Sequence, residues 1–194
     1  MKKRILVIQG HPSRDQNHLG HALAAAYREA AEAAGHEVRQ ADVALLEFPL
    51  LREAVDWSKG TTPAALQPAQ ADITWAEHLV VIFPLWTGTV PALTKAFFEQ
   101  VARPGIAFNP RPNGKGLAPA WKGKSARVVV TLGMPSWFYR LVHGAIGVRA
   151  FNRDLLGMVG IKPTRTTYIG SVGSKTFDGK RWLECMRKLG QAGS

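Results

Sequence analysis

The sequence predicts a single α/β domain in which helices cover both faces of a parallel sheet. Strand-like apolar runs alternate with helix-like periodic segments along the whole 194-residue chain. The central run, Leu79–Phe83, lacks polar alternation, which is typical of a strand buried on both faces. With 46% hydrophobic residues, a chain of this length can bury one sizeable core, so one domain over residues 1–194 is expected.

The first strand–helix–strand unit is predicted over residues 4–43. Arg4–Gln9 is an apolar strand, and Glu37–Val43 is a second, shorter one. Between them an apolar stripe predicts a helix with Asp15 or Asn17 as N-cap and Gly35 as its end. The stripe consists of Leu19, Leu23, Tyr27, Ala30 and Ala34.

The middle of the chain contains the central strand between two helices. Residues 44–65 look irregular, and a helix near Pro68–Glu77 leads into the strand. Pro91 suits the first turn of the next helix. The apolar stripe of that helix is Leu93, Ala96, Phe97 and Val101. Residues 103–124 are rich in proline and glycine and are predicted to form a long loop.

The last third contains two more strands, Ala126–Leu132 and Thr164–Ile169. Residues 136–148 are ambiguous because Gly144 and Gly147 would interrupt a helix. A firmer helix follows, and a final one covers Arg181–Leu189. The first of these two helices carries Phe151, Leu155, Met158 and Val159, and it ends at Gly160.

Five strands alternating with helices predict a doubly wound sandwich, most simply with the flavodoxin-like strand order 2-1-3-4-5. Right-handed crossovers place the loops after strands one, three and four at one edge of the sheet. These loops are residues 10–18, 84–89 and 132–143. Ligands of open α/β sheets bind at this edge.

The loop after the central strand contains Leu85, Trp86, Thr87 and Gly88. A large aromatic ring, a hydroxyl and a glycine suit a flat polar ring system such as a flavin. An ordinary βα turn with a surface tryptophan remains an equal alternative.

The first loop runs into a helix start, where free N–H groups attract phosphate. His11, Arg14 or His18 would add donors, and a plain polar connector is the alternative. The loop lacks both G-x-G-x-x-G and the Ser/Thr-rich phosphate loop of small flavodoxins.

The third loop contains Tyr139 and His143, which share a face if the segment is helical. Beside a flavin they would donate hydrogen bonds to the reduced ring or to a quinone oxygen. A purely structural pair is the alternative reading.

The charge of the chain is uneven: residues 103–194 carry 16 of the 25 basic side chains and only 3 of the 14 acidic ones. The basic residues form no long run, so a solvated basic face and a phosphorylated cofactor are favoured over nucleic acid. Cys185 is the only cysteine, which excludes an intrachain disulfide or a cysteine-based metal site and fits a reducing compartment.

The apolar stretch Ile5–Ile8 is too short for a signal peptide, and no stretch is long enough to insert in a membrane. We therefore expect a cytoplasmic protein without a bound metal.

Several motifs resemble the flavodoxin-like NAD(P)H:quinone oxidoreductases, in particular a bacterial branch of NAD(P)H dehydrogenases (quinone). The resemblance spans residues 4–169, with the motifs in order and at similar spacing. They are Gly10-His11-Pro12; Phe83-Pro84-Leu85-Trp86 through Val90-Pro91-Ala92-Leu93 to Phe97-Phe98-Glu99; Pro104-Gly105-x-Ala107-Phe108; Lys122-Gly123-Lys124-Ser125-Ala126; Met134-Pro135-Ser136-Trp137-Phe138-Tyr139-Arg140; and Gly160-Ile161-Lys162-Pro163.

The resemblance implies a homodimer with a tightly bound FAD or FMN in each of two interface sites, FAD being slightly favoured. NAD(P)H would reduce the flavin, and a quinone would then take its place in the same pocket. The residues matching the phosphate turn are His11, Asn17, His18 and Leu19. Those matching the loop under the ring are Pro84, Leu85, Trp86, Thr87 and Gly88, and those matching the loop over its pyrimidine edge are Thr131, Leu132, Gly133 and Met134.

The resemblance also implies that Tyr139 is an active-site tyrosine, whereas the family's catalytic histidine follows at a longer interval than His143 does. One glycine, Gly133, stands where those relatives have two. Gln16 and Asn17 stand where a serine and an aromatic are usual.

A flavin-dependent NAD(P)H oxidoreductase that reduces quinones is thus the expected function. A flavin-binding regulatory subunit of a potassium-efflux system, with little turnover, is the main alternative. A one-electron carrier like a true flavodoxin is the third.

Overall fold

In the computed structural model, which describes residues 1–112 and 115–194, a parallel sheet is the centre of the molecule. Its five strands are all parallel and lie in the order β2-β1-β3-β6-β7. Because β6 and β7 are the fourth and fifth strands of this sheet along the chain, the predicted order 2-1-3-4-5 is confirmed. The strands are β1 (Arg4–Gln9), β2 (Glu37–Asp42), β3 (His78–Pro84), β6 (Ser125–Thr131) and β7 (Thr164–Ile169). Two short strands, β4 (Phe108–Pro110) and β5 (Leu117–Pro119), form a separate antiparallel pair.

Helices cover both faces of the sheet, as predicted. The helices α1 (Leu19–Ala33) and α7 (Gly179–Ala192) pack on one face, against Ile5, Val7 and Val80 among others. The opposite face is covered by α3 (Gln67–Trp75), α4 (Ala92–Val101) and the segment after β6. That segment consists of α5 (Ser136–Leu141), α6 (Ile146–Ala150) and a π-helical turn, Phe151–Leu156.

Every residue of β3 except Pro84 is buried, which explains its uninterrupted apolar sequence. The strand lies between β1 and β6, so both of its edges are hydrogen-bonded. Its central position places the loop that follows it in the middle of the carboxyl edge of the sheet.

Two segments predicted to be irregular contain short elements. Residues 44–65 include the exposed helix α2 (Ala54–Lys59) and 3₁₀ turns at Val43–Leu45 and Ala64–Leu66. The long loop predicted over 103–124 includes the β4–β5 pair, while its residues 113 and 114 lie outside the described residues. The helix, the two 3₁₀ turns and the two strands are all too short to show a period in the sequence.

A buried histidine at the start of β3 makes stability depend on pH. The Nδ1 of His78 lies 2.8 Å from Ser125 Oγ, and its Nε2 has no partner. Burial, and then the cationic Lys3, Arg127 and Arg165 groups, lower the pKa of His78 to about 3. The folded protein therefore keeps this ring neutral in mild acid, whereas the unfolded chain takes up a proton below about pH 6.5.

We expect His78 to destabilise the protein as pH falls. Its contribution to the free energy of unfolding should drop by about 2 kcal/mol between about pH 7.5 and pH 5. Urea unfolding at both pH values measures this, and His78→Gln should lose correspondingly less stability. His143→Gln, which changes an exposed ring, is the matched control. Equal pH dependence in wild type and His78→Gln would contradict the prediction.

Candidate functional site

A cleft of about 240 Å³ opens at the carboxyl edge of the sheet, where β1, β3 and β6 end. The three loops predicted to converge all contribute to its wall. Its lining residues are His11, His18, Leu19, Gly20, Pro84, Leu85, Trp86, Thr131, Leu132, Gly133 and Val172. The cleft thus joins most of the residues expected to hold a flavin, together with Val172 from the loop after β7.

The first loop leaves backbone donors free at the start of α1. His18, rather than Asp15 or Asn17, is the N-cap, and its side chain makes no capping hydrogen bond. The predicted N-cap is wrong because the Asp15 carboxylate instead accepts hydrogen bonds from Asn17 N (2.9 Å) and Nδ2 (2.8 Å). These bonds hold Asn17 in an exposed turn outside the cleft. The unpaired N–H groups at the helix start attract an anion.

Three imidazole rings crowd the start of α1. The rings of His11 and His18 stack with centroids 4.0 Å apart, and the His21 ring lies 5.9 Å from that of His11. The pKa of His11 is lowered, first by burial and then by the neighbouring His18 and His21. Because His11 Nδ1 accepts a hydrogen bond from Ser13 N (3.1 Å), the neutral ring carries its proton on Nε2. His11 is therefore a hydrogen-bond donor to whatever the cleft binds.

Two further side chains at this loop were not predicted. Gln9 is fully buried; its Oε1 accepts a hydrogen bond from His11 N (3.0 Å), while its Nε2 has no partner. The Nε2 of the buried His21 is likewise without a partner. Unpaired buried polar atoms are costly, and both of these belong to neighbours of the cleft-lining His11, where a bound ligand would supply the missing partners. A polar residue at the carboxyl end of an apolar strand, as Gln9 is, was the available sequence signal.

The loop after β3 is a tight turn that presents Trp86 to the cleft. Trp86 and Thr89 exchange two backbone hydrogen bonds of 3.0 Å each. Thr87 (φ 50°) and Gly88 (φ 79°) between them both adopt positive φ, as a type I′ turn requires. The indole of Trp86 is 48% exposed and lies edge-on to the His11 ring, with centroids 6.1 Å apart. Thr87 and Gly88 do not line the cleft itself.

The loop after β6 supplies free backbone donors on the opposite wall. Leu132 N donates to Ile169 O (2.9 Å), and Met134 O accepts from Ser171 N (2.9 Å). These two bonds fix the loop, whereas the N–H groups of Gly133 and Met134 have no acceptor among the described residues. No atom lies within 4 Å of a Cβ built on Gly133, so a ligand can approach the backbone there closely. Met134 lies at the rim, 36% exposed.

Tyr139 is buried, only 2% exposed, and does not line the cleft. Its hydroxyl donates a 2.9 Å hydrogen bond to Gly88 O, which ties α5 to the Trp86 turn. Burial is the main cause that raises the pKa of Tyr139. The exposed His143 ring stacks on it at 6.2 Å between centroids. The predicted catalytic roles of Tyr139 and His143 stay predictions, since the contact seen here positions the turn.

A larger apolar pocket of about 760 Å³ lies on the other side of the Trp86 turn. Its walls come from α4, the π-helical turn and the β4 region. They include Trp57, Trp86, Thr87, Phe98, Phe108, Phe151, Leu155 and Met158. Trp86 lines both cavities, so the turn separates the small polar cleft from a broad apolar surface.

Over residues 1–112 and 115–194, no cluster of His, Cys, Asp or Glu has the arrangement of a metal site. Within those same ranges, no helix combines the length and apolarity needed to cross a membrane. The cytoplasmic location stays a prediction.

The fold is similar to that of several solved flavoproteins and quinone reductases. The NAD(P)H:quinone oxidoreductase from Methanothermobacter marburgensis is 19% identical, with a TM-score of 0.77 over 100% of both chains. An FMN-dependent NADH-azoreductase from Bacillus anthracis, solved with FMN, is 14% identical, with a TM-score of 0.72 over 97% of this chain and 96% of that one. At these identities the likeness concerns the fold.

Curated relatives match part of the chain. FMN-dependent NADH:quinone oxidoreductase 1 from Hahella chejuensis is 32% identical over 111 residues, which are 57% of this chain and 49% of the relative. The chain spans about half the length of the curated relatives it matches first. The family model described as "Flavodoxin-like fold" matches residues 3–190, nearly the whole sequence. The chain therefore belongs to this family of proteins with a flavodoxin-like fold.

Proposed function

We propose that this protein is a flavin-dependent oxidoreductase that transfers electrons from NAD(P)H to quinones. The observation that supports it most is the cleft, where a crowded histidine turn, an exposed indole and free backbone N–H groups face one another. Relatives named as FMN-dependent NADH:quinone oxidoreductases support the same activity.

The two ends of the cleft suit the two ends of a flavin nucleotide. The free N–H groups of Leu19 and Gly20, with the His11 and His18 rings, would hold the phosphate. Trp86 would lie against the flat ring, and the Gly133 backbone on the opposite wall would lie at its pyrimidine edge. The unpaired Nε2 of Gln9 lies 3.4 Å from a Cβ built on Gly20, so it would add a donor at the phosphate end.

We propose FMN as the flavin. The sequence slightly favoured FAD, but the curated relatives that name a flavin name FMN. The preference for FAD is therefore not supported. NADH is the reductant in those names, and the choice between NADH and NADPH for this chain stays open to measurement.

When bound, the flavin would supply the redox chemistry, accepting a hydride from NAD(P)H and passing two electrons to the acceptor. The chain's own residues place and polarise the ring. The Gly133 and Met134 N–H groups would donate to its pyrimidine edge and stabilise negative charge there. The Trp86 turn would fix the other wall, and Tyr139 would hold that turn through Gly88 O.

We also propose that the protein is a homodimer, with a second copy covering the apolar surface beside the turn. The apolar pocket is continuous with this surface through Trp86 and Thr87. Met158 lines this pocket and is exposed, and the segment before it carries further large exposed apolar side chains: Trp137, Leu141, Val142 and Ile146. A monomer seldom leaves so many apolar side chains in water, and a quinone would enter between the copies.

The test is a purified preparation examined for a bound chromophore. We expect a yellow protein whose released flavin has the mass of FMN. Without air, NADH or NADPH should bleach the colour, and adding a quinone should restore it. Sedimentation should give twice the monomer mass. A preparation that binds no flavin under any loading condition would contradict the proposed function. Bleaching that no quinone reverses would contradict the acceptor class.

A further inference from the structure

Two arginines lie side by side on the sheet face that α1 and α7 cover. Arg127 of β6 and Arg165 of β7 are register partners in the parallel pair. Partner residues on neighbouring parallel strands point to the same face, with the strands about 4.8 Å apart. Arg127 is half-buried, whereas Arg165, on the outermost strand, is exposed. Two guanidinium groups therefore emerge together from the sheet beside α7.

No carboxylate balances this pair. Neither arginine forms an ion pair with an acidic side chain in the described structure. The ionisable groups that act on Arg127 are Arg165, the Tyr27 phenol of α1 and the Cys185 thiol of α7. The neighbouring groups toward β1 are also basic. His78 in β3 has its pKa lowered by Lys3 and His36 as well as by both arginines. A repulsive arrangement of this kind is unfavourable unless an anion joins it.

Buried donors at the same place lack acceptors. Tyr27 is fully buried, yet its hydroxyl has no hydrogen-bond partner in the part of the chain that the structure describes. The Nε of Arg127 is also buried, and among the described residues it has no hydrogen-bond partner, while Nη1 of the same group forms a 3.4 Å hydrogen bond to Thr167 Oγ1. In folded proteins, nearly all buried polar groups find partners. The cluster thus combines excess positive charge with unused donors.

We propose that Arg127 and Arg165 bind a compact oxyanion, a phosphoryl group being the best fit. Two adjacent guanidinium forks present several N–H donors in the geometry that oxyanions accept, and the Tyr27 hydroxyl would add one more. Two adjacent guanidinium groups suit a small ligand rather than a long polymer. Arg127 precedes Thr131 by four positions in β6, so its backbone lies about 13 Å from this cleft-lining residue.

This site accounts for part of the charge asymmetry. The second half of the chain holds 16 basic residues against 3 acidic ones, and the proposed flavin cleft uses none of those basic side chains. The proposal does not depend on the redox function, because the cluster lies farther back along the strands and shares no residue with the cleft.

The test is calorimetric titration of the FMN-loaded protein with inorganic phosphate, at ionic strength held constant with chloride. We expect one phosphate per chain. Arg165→Gln should weaken binding about tenfold or more, and Arg165→Lys should only partly restore it because the fork is lost. Arg127→Gln should weaken phosphate binding similarly. Because this residue is half-buried, the melting temperature of the variant in phosphate-free buffer is measured to show that the variant is folded.

The matched control is Arg187→Gln, which removes one charge from α7 at a residue already paired with Glu184. It should leave phosphate binding unchanged. If phosphate binds at the start of α1 instead, Arg165→Gln will not weaken its binding. Phosphate binding of wild-type strength in this variant would therefore overturn the proposal. Binding of single-stranded DNA without any binding of phosphate would also overturn it, in favour of a surface for a polyanion.

Discussion

Replacing Gly147 with alanine is expected to abolish flavin retention. A Cβ at this position would lie 2.3 Å from Gly88 O and 2.8 Å from Thr89 Cβ, far inside van der Waals contact. Neither neighbour is a flexible side-chain end, so the Trp86 turn or α6 must move. Because the turn forms one wall of the cleft, a clash of about 1–3 kcal/mol that is relieved by moving the turn should weaken flavin binding about 10- to 100-fold.

Equilibrium dialysis of FMN against the purified variant measures this loss. The fold should survive, since the clash is confined to the edge of the sheet, with a cost of about 1–3 kcal/mol in urea unfolding. Gly179→Ala is the control, because its added Cβ meets only Phe177 Cε1 at 3.5 Å. A Gly147→Ala protein that retains FMN with wild-type affinity would show that the turn does not contact the flavin.

Tyr139→Phe is expected to slow acceptor reduction about tenfold or more while leaving the flavin content intact. The phenylalanine fills the same volume but cannot donate to Gly88 O, so the turn loses its only side-chain hydrogen bond at that carbonyl. Because burial raises the pKa of Tyr139, its hydroxyl keeps its proton at neutral and mildly alkaline pH. That single proton is donated to Gly88 O, so the hydroxyl would donate to an acceptor only after breaking this bond.

Stopped-flow measurement of the two half-reactions separates these roles. A donor to the acceptor oxygen affects only the reoxidation by quinone, whereas a tether of the Trp86 turn changes the rates of both half-reactions together. Tyr168→Phe is a suitable control, since its ring lies 6.1 Å from that of Tyr139 and its residue is only partly buried. Unchanged turnover in Tyr139→Phe would remove this residue from the mechanism.

The sheet was predictable because long apolar strands leave few alternatives. Leu79–Phe83 had to be a central strand, and the alternation of strands with helices then fixed where three loops would meet. The convergence of His11, Trp86 and Gly133 in one cleft follows from that rule. The roles assigned to these residues still await experiment.

Contacts made by side chains and by close backbone approach were not predictable. Asp15 and Asn17 are both good N-cap residues, but the Asn17 side chain donates to the Asp15 carboxylate instead, and His18 is the N-cap. One of the two glycines that made residues 136–148 ambiguous, Gly147, stands where a side chain would not fit. Gly147 lets α6 approach the Trp86 turn, a contact between residues far apart in sequence.

The tether between Gly88 and Tyr139 has a consequence for the construction of chimaeras. The conformation of residues 85–89 is held from outside by residues 139 and 147, which come some fifty positions later in the chain. Transplanting the tryptophan turn alone into a related scaffold would leave it without this brace. A functional graft has to carry both segments, so recombination breakpoints between them should be poorly tolerated.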